Sequence, residues 1–246
     1  MSEIAEDLDR PAASWVLRAA NRSPGGPTAR LRAIERAQAI VDAARRLIDV
    51  KGSEFTTHQL VREAGIAIQT LYKYFASKDD VILAALEDMV VESCVQMEER
   101  GAAFPDPVER LRFYVYNVVS SLDPKGAPGS GRFIAAEHWR LVQLYPDEVA
   151  TATQSVAEIL ARQLHAAEQA GLLAPADIEY GAWLGNKLLL SVYHHYTFAK
   201  DHEPPEIIAE KVWMFLLGAW GGRPLVHPTP SSEVPSATAS GVATAH

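Results

Sequence analysis

From Leu31 to Ala219 the apolar residues return every three or four positions, and no stretch alternates apolar with polar at the two-residue period of a strand. Leu31, Ile34, Ala37, Ile40, Val41, Ala44, Leu47 and Ile48 form one such stripe, closed by Lys51-Gly52. Leu60, Val61 and Ala64 mark a short helix opened by Thr56-Thr57 and ended by Gly65. Another runs from Ala67 to Phe75. Ser77 caps a long helix, with Asp80 three residues on and Val81, Ile82, Ala85, Leu86, Met89 and Val90 as its stripe. Asp106-Pro107 opens the next, followed by a Gly/Pro loop from Asp123 to Gly131. Helices are then expected over Arg132 to Tyr145, Asp147 to Ala170, Asp177 to Phe198 and Pro205 to Ala219. The predicted class is all-α, with about nine helices and no repeat of fixed period.

The two ends read differently. Residues 1–27 finish in Ser23-Pro24-Gly25-Gly26-Pro27 and have no sustained period, so they are expected to form a flexible arm. Residues 221–246 are rich in Pro, Ser, Thr and Ala, too poor in apolar surface to offset the entropy of ordering, and are expected to be a disordered tail. Between them lie an expected head at 28–80 and a larger body at 81–220. A composition of 48% hydrophobic and 22% charged residues suits a globular chain with a sizeable core. A single cysteine, Cys94, excludes an intrachain disulfide and any multi-cysteine metal site. No run approaches the roughly 20 apolar residues of a membrane span, and Glu3, Glu6, Asp7 and Asp9 stand where a secretory signal needs positive charge. The expected setting is the reducing cytoplasm, with no membrane partner.

Charge divides the chain. The net charge is −8, yet residues 28–78 carry nine basic and five acidic side chains, while everything after them is strongly acidic. A basic head on an acidic body is the pattern of a nucleic-acid reader joined to a sensor. Within the head, the helix Thr57 to Ala64, the turn Gly65-Ile66 and the helix Ala67 to Phe75 have the lengths of a helix-turn-helix, whose second helix enters the DNA major groove. Leu60, Val61, Ile66 and Leu71 supply the small core that fixes the interhelical angle. Ile68, Gln69, Thr70, Tyr72, Lys73 and Tyr74 are expected to point outward: an amide suited to adenine, apolar contact for a thymine methyl, and phosphate donors. Spacing alone fits an inert helical hairpin equally well.

The run Phe55-Thr56-Thr57, then Leu60 to Ile66, then Thr70-Leu71-Tyr72-Lys73-Tyr74-Phe75-Ala76-Ser77-Lys78-Asp79-Asp80-Val81-Ile82-Leu83 resembles the DNA-binding signature of the TetR family of transcriptional regulators. With Ala43-Ala44-Arg45-Arg46-Leu47 upstream, the features stand in order over about fifty residues. The resemblance implies an all-α homodimer, its N-terminal helix-turn-helix bound to palindromic operator DNA and its remaining helices forming a ligand pocket and dimer interface. It also implies Ile68, Gln69 and Thr70 at base-facing positions, Tyr72, Lys73 and Tyr74 at bases or phosphates, and Thr57 and Lys78 at phosphates. Leu71 and Phe75 match structural positions. Two features depart from the family pattern: Ala67 replaces the usual hydroxyl cap, and Ile68 offers no hydrogen bond.

The body must be read from its chemistry. Its aromatic residues, placed between helices of a bundle, suit a small apolar or aromatic effector. Met89, Phe113, Tyr116, His138, Trp139, Trp183 and Asn186 are the candidate pocket residues, Asn186 because it interrupts an apolar face and needs partners if buried. Adjacent His194 and His195 point about 100° apart on a helix and cannot chelate together. No His-x-x-x-His pair, nucleophile turn or cofactor motif appears, so neither metal nor cofactor is expected. A helical enzyme would need a nucleophile–base set, and a structural adaptor would leave Thr70 to Leu83 without a role. The expectation is a ligand-responsive repressor, not an enzyme.

Overall fold

The computed structural model describes residues 14–22, 26–120, 130–199 and 202–223, and among them eleven α-helices and no strand. They are α1 (Ser14–Asn21), α2 (Pro27–Lys51), α3 (Thr57–Glu63), α4 (Ile68–Tyr74), α5 (Lys78–Gly101), α6 (Pro107–Ser120), α7 (Ser130–Leu144), α8 (Pro146–Ala152), α9 (Gln154–Gln169), α10 (Ile178–Phe198) and α11 (Pro205–Ala219). Residues 1–13 and 23–25 of the expected arm, residues 121–129 of the expected loop and residues 224–246 of the expected tail lie outside the described residues.

Two apolar cores are strung along α5. In the first, Ile40, Val41, Ala44 and Ile48 of α2 meet Leu60 of α3, Leu71 and Tyr74 of α4, and Val81 to Leu86 of α5. The first core thus continues to Leu86, beyond the boundary expected at residue 80. Fully burying such side chains contributes about 1.5–3 kcal/mol each. The second gathers Cys94 and Met97 of α5, Leu111 and Val115 of α6, Ile159 and Leu164 of α9, Leu189 of α10, and Ile208, Trp213 and Leu216 of α11. Gly185 lets α10 approach Trp220 closely, since a Cβ there would lie 2.9 Å from Trp220 Cζ2. The Trp220 indole N–H donates to the Gly181 carbonyl at 3.2 Å.

Local chemistry sets the helix ends. Thr56 and Gln59 form a capping box on α3. Ser77 Oγ accepts from the Asp80 N–H at 3.1 Å, while the Asp80 carboxylate accepts from Ala76 N–H at 2.8 Å. Asp177 caps α10 by accepting from Tyr180 N–H at 2.9 Å. The turn between α3 and α4 runs through Gly65 at φ 65°, a left-handed conformation glycine adopts without steric cost.

Two expectations fail. The segment read as a flexible arm contains α1, whose Trp15 and Ala19, one turn apart, are buried. Trp15 lies 6.5 Å from the Phe75 ring, Ser14 donates from its backbone N–H and its hydroxyl to the buried Glu87 carboxylate, and Arg22 donates to the Tyr74 carbonyl. The helix expected over Asp147 to Ala170 is two helices, broken at Thr153. Asn186 Nδ2 takes the Thr153 carbonyl at 3.3 Å and the Thr153 hydroxyl bonds back to the Val149 carbonyl at 3.0 Å, so this turn leaves the helical ladder.

Candidate functional site

The outer face of α4 is built by its inner one. Leu71 is fully buried, and residues two, one and minus two positions away turn outward from it. Gln69, Tyr72 and Lys73 are exposed, Tyr72 by 53%, and Ile68 and Thr70 are half-buried. The Lys73 ammonium lies 5.6 Å from the Tyr74 ring centroid. This surface offers an amide, a hydroxyl, a phenol and an ammonium on one turn and a half of helix, the set that contacts base edges and phosphates.

Two of the expected contact residues are placed otherwise. Tyr74 is only 4% exposed, because three residues on from Leu71 is the same helix face, so it belongs to the core and not to the groove-facing surface. Lys78 is turned inward: its ammonium donates to the carbonyls of Ser53 at 2.7 Å and Phe55 at 3.1 Å and sits 5.2 Å from the Phe55 ring. It ties the first turn of α5 to the segment before α3, and one of its three donors is left for a phosphate. Thr57 is half-buried in the first turn of α3.

A second site lies at the other end of α5. A cavity of about 160 Å³ is walled by Met89, Ser93 and Met97, which recur at four-residue spacing on α5, and by Asn117 and Val118 of α6. Val156 of α9 and Asn186, Leu189, Leu190 and Tyr193 of α10 complete it. Of the seven expected pocket residues, Met89 and Asn186 meet here. Asn186 also borders, with Trp183, Lys187 and Thr153, a more polar cleft of about 370 Å³.

The other expectations are corrected. Phe113 packs on Phe104 at 5.3 Å and under the Arg100 guanidinium at 5.2 Å. The Tyr116 hydroxyl donates to the Glu210 carboxylate. Neither ring lines the cavity, because both are consumed by contacts between helices. Trp139 is 66% exposed, and Trp183 stands on the surface stacked on Tyr180 at 5.4 Å. His138 is buried, but beside His194 across the α7–α10 contact and not among the cavity walls described above. Ser93 and Met97 were missed although their spacing from Met89 was visible, since the stripe on α5 was followed only as far as Val90.

Charge ties the two regions together. Arg140 of α7 bonds both oxygens of Asp79, at 2.8 and 3.2 Å, and also Glu137 at 2.8 Å. The Arg140 hydrogen bonds hold the Asp79 carboxyl below the usual carboxylate range. Arg45 of α2 pairs with Asp88 at 2.8 Å and with Glu92. Burial pushes the Cys94 thiol up to about 12, so it is a protonated core side chain and no nucleophile. Among the described residues no three His, Cys, Asp or Glu side chains converge on a metal position, and no helix is long and apolar enough to cross a membrane.

Residues 40–85 match the family model of the bacterial regulatory proteins, tetR family. The HTH-type transcriptional regulator HbdR of Aromatoleum sp. (strain CIB) is 30% identical over 90 residues, 36% of this chain and 39% of that protein. The chain therefore spans about two fifths of the length of that relative. Among solved structures, Thermus thermophilus FadR, a transcriptional repressor in complex with lauroyl-CoA, superposes with a TM-score of 0.62 at 18% identity, covering 78% of this chain and 99% of that one. RolR in complex with resorcinol superposes with a TM-score of 0.60 at 17% identity, covering 77% and 89%. At such identities the likeness carries the fold.

Proposed function

As a member of the tetR family of bacterial regulatory proteins through its residues 40–85, the chain is, we propose, a homodimeric DNA-binding transcriptional regulator, a repressor released from its operator by a small apolar or aromatic effector. The observation that carries this reading is the course of α5. Its first turn sits beside the helix-turn-helix through Asp79 and Lys78, and Met89, Ser93 and Met97 of the same unbroken helix wall the cavity. At 1.5 Å per residue its 24 residues span about 36 Å, one rigid rod between two sites.

Each part has an assigned role. Gln69 reads a base edge, Thr70, Ile68 and Tyr72 complete the groove contact, and Lys73 neutralises phosphate, assisted by Thr57 and the remaining donor of Lys78. Two copies associate through α10 and α11, whose outer faces leave Leu184 46%, Ile207 46% and Phe215 66% exposed in one chain. Apolar side chains on one face of two adjacent helices suit an isologous two-fold contact. A dimer reads a palindrome whose half-sites lie about 34–36 Å apart, or a multiple of that. An effector that fits the cavity better in the arrangement that mismatches this spacing lowers operator affinity, and operator DNA lowers effector affinity by the same factor. That FadR and RolR bind lauroyl-CoA and resorcinol supports an effector of apolar or aromatic character.

The test is a mobility-shift assay of the full chain against DNA from upstream of its own coding region, with a scrambled fragment as control. A specific, salt-sensitive shift by a dimer is expected. No preference for any upstream fragment over the scrambled one would overturn the reading.

A further inference from the structure

Two imidazoles are buried without partners where α7 meets α10. His138 is 7% exposed, and neither its Nδ1 nor its Nε2 has a hydrogen-bond partner; Nε2 of His194 has none either. The two ring centroids are 4.7 Å apart at 54°. Each neutral imidazole carries one N–H donor and one acceptor, and leaving these unmet inside a protein lowers its stability. Such orphans in a folded chain ask for the group that completes them. Both rings are neutral: burial lowers the His138 pKa to about 4, with His194 and Lys187 adding to the shift, and burial lowers that of His194 as well.

The pair lies in line with the cavity. Asn186 and Leu190 wall it from α10, and His194 is the next residue of that four-residue row, about 6 Å further along the helix. A dry cavity of about 150 Å³ admits one benzene ring, and this one is about 160 Å³. The electrostatic surroundings favour an anion. Lys187 lies near enough to His138 to disfavour its protonation, and the neighbouring carboxylate, Glu137, is engaged by Arg140 at 2.8 Å. Two imidazoles without a third protein ligand leave a divalent metal short of its usual four.

The geometry points to one effector class: a single-ring aromatic carboxylate, its ring between Met89, Met97 and Leu190 and its carboxylate accepting one N–H each from His138 and His194. This rests on the cavity being the effector site and adds the polar group the effector must carry. The acid supplies the acceptors that the empty site lacks, and the apolar walls select against larger or more polar anions.

The experiment titrates benzoate, phenylacetate and 4-hydroxybenzoate, and the amide of each, into the full-length protein by calorimetry. The proteins are wild type, His138→Leu, His194→Leu and His194→Gln, each checked for folding by thermal melt. At least one acid binds the wild type, and its amide binds about ten-fold more weakly or worse, the scale of a hydrogen bond to a charged group. Either leucine variant loses the acid by about ten-fold or more while amide binding holds, and His194→Gln, which keeps an N–H donor, retains part of the affinity. The proposal is overturned if none of the three acids binds the wild type at millimolar concentration, or if acid and amide bind wild type and leucine variants alike. Mobility shifts on the same samples separate the two readings. A shifted operator with no acid bound defeats the carboxylate class alone, and histidine-dependent acid binding that leaves the DNA complex intact supports the site while defeating its role as effector site.

Discussion

Replacing His138 by leucine tests whether a buried imidazole without partners limits the stability of this protein. In the folded chain burial brings its pKa to about 4; in the unfolded chain it is about 6.5. Between these values the unfolded chain binds a proton that the folded chain refuses, so stability is full above pH 6.5 and falls as the pH drops towards 4. From pH 7 to pH 5 the loss is about 2 kcal/mol, a fall in Tm of about 4–8 °C for a chain of this size. His194, whose pKa burial also lowers, adds to the loss in the same sense. In His138→Leu that share of the acid loss disappears. At pH 7 the variant is also relieved of two orphaned nitrogens, each worth about 1–3 kcal/mol, offset by whatever the leucine loses in fit. The assay is thermal unfolding by circular dichroism at pH 7 and pH 5, at one ionic strength and one protein concentration, since a dimer's Tm depends on concentration. The expected result is a Tm at pH 7 equal to or above wild type, with a smaller fall to pH 5. An unchanged acid fall, or a loss at pH 7 larger than about 2 kcal/mol, would show that the imidazole has partners and refute the argument.

Three further outcomes follow from the geometry. Lys73→Ala weakens operator and random DNA alike and reduces the salt slope by about one, whereas Gln69→Ala relaxes one position per half-site at a cost of about 1–3 kcal/mol; anisotropy titrations across salt and base substitutions distinguish them, and identical profiles would contradict the assignment. Phe215→Asp gives a folded monomer in sedimentation, because Phe215 is 66% exposed, while Val212→Asp unfolds the sensor body, because Val212 is only 8% exposed; a dimeric Phe215→Asp would move the interface elsewhere. Trp15→Ala costs about 3–5 kcal/mol in urea unfolding, the range for truncating a buried aromatic, and an unaltered midpoint would mean that α1 does not dock.

The helices were legible because a bundle shows its inward face in the sequence. Leu60 and Leu71 were placed in the core by spacing, and Thr56, Ser77 and Asp177 were found as caps because their side chains act on backbone three residues away. Tyr74 was misplaced although the same spacing rule, applied from Leu71, puts it inside. Docking of α1 was not legible, since two buried residues on an eight-residue helix leave too short a pattern to distinguish from chance. In α10 apolar residues occur on every side, so periodicity gave no means of separating surface Trp183 from buried Leu189. The meeting of His138 with His194, 56 positions apart, depends on how α7 crosses α10, and no local signal in either helix records that crossing.

Arg140 and His138 sit two positions apart on α7, about 200° around its axis, so that one side of the helix grips Asp79 and the other faces His194. Such a helix is a crank. Turning it by about 10° sweeps a side-chain tip at a radius of about 6 Å through about 1 Å. A displacement of that size takes a 2.8 Å contact such as Arg140 to Asp79 beyond hydrogen-bonding range. Torque delivered at the imidazole is thereby converted into release or tightening at the first turn of α5, with no change in the length of any helix and no motion larger than a bond.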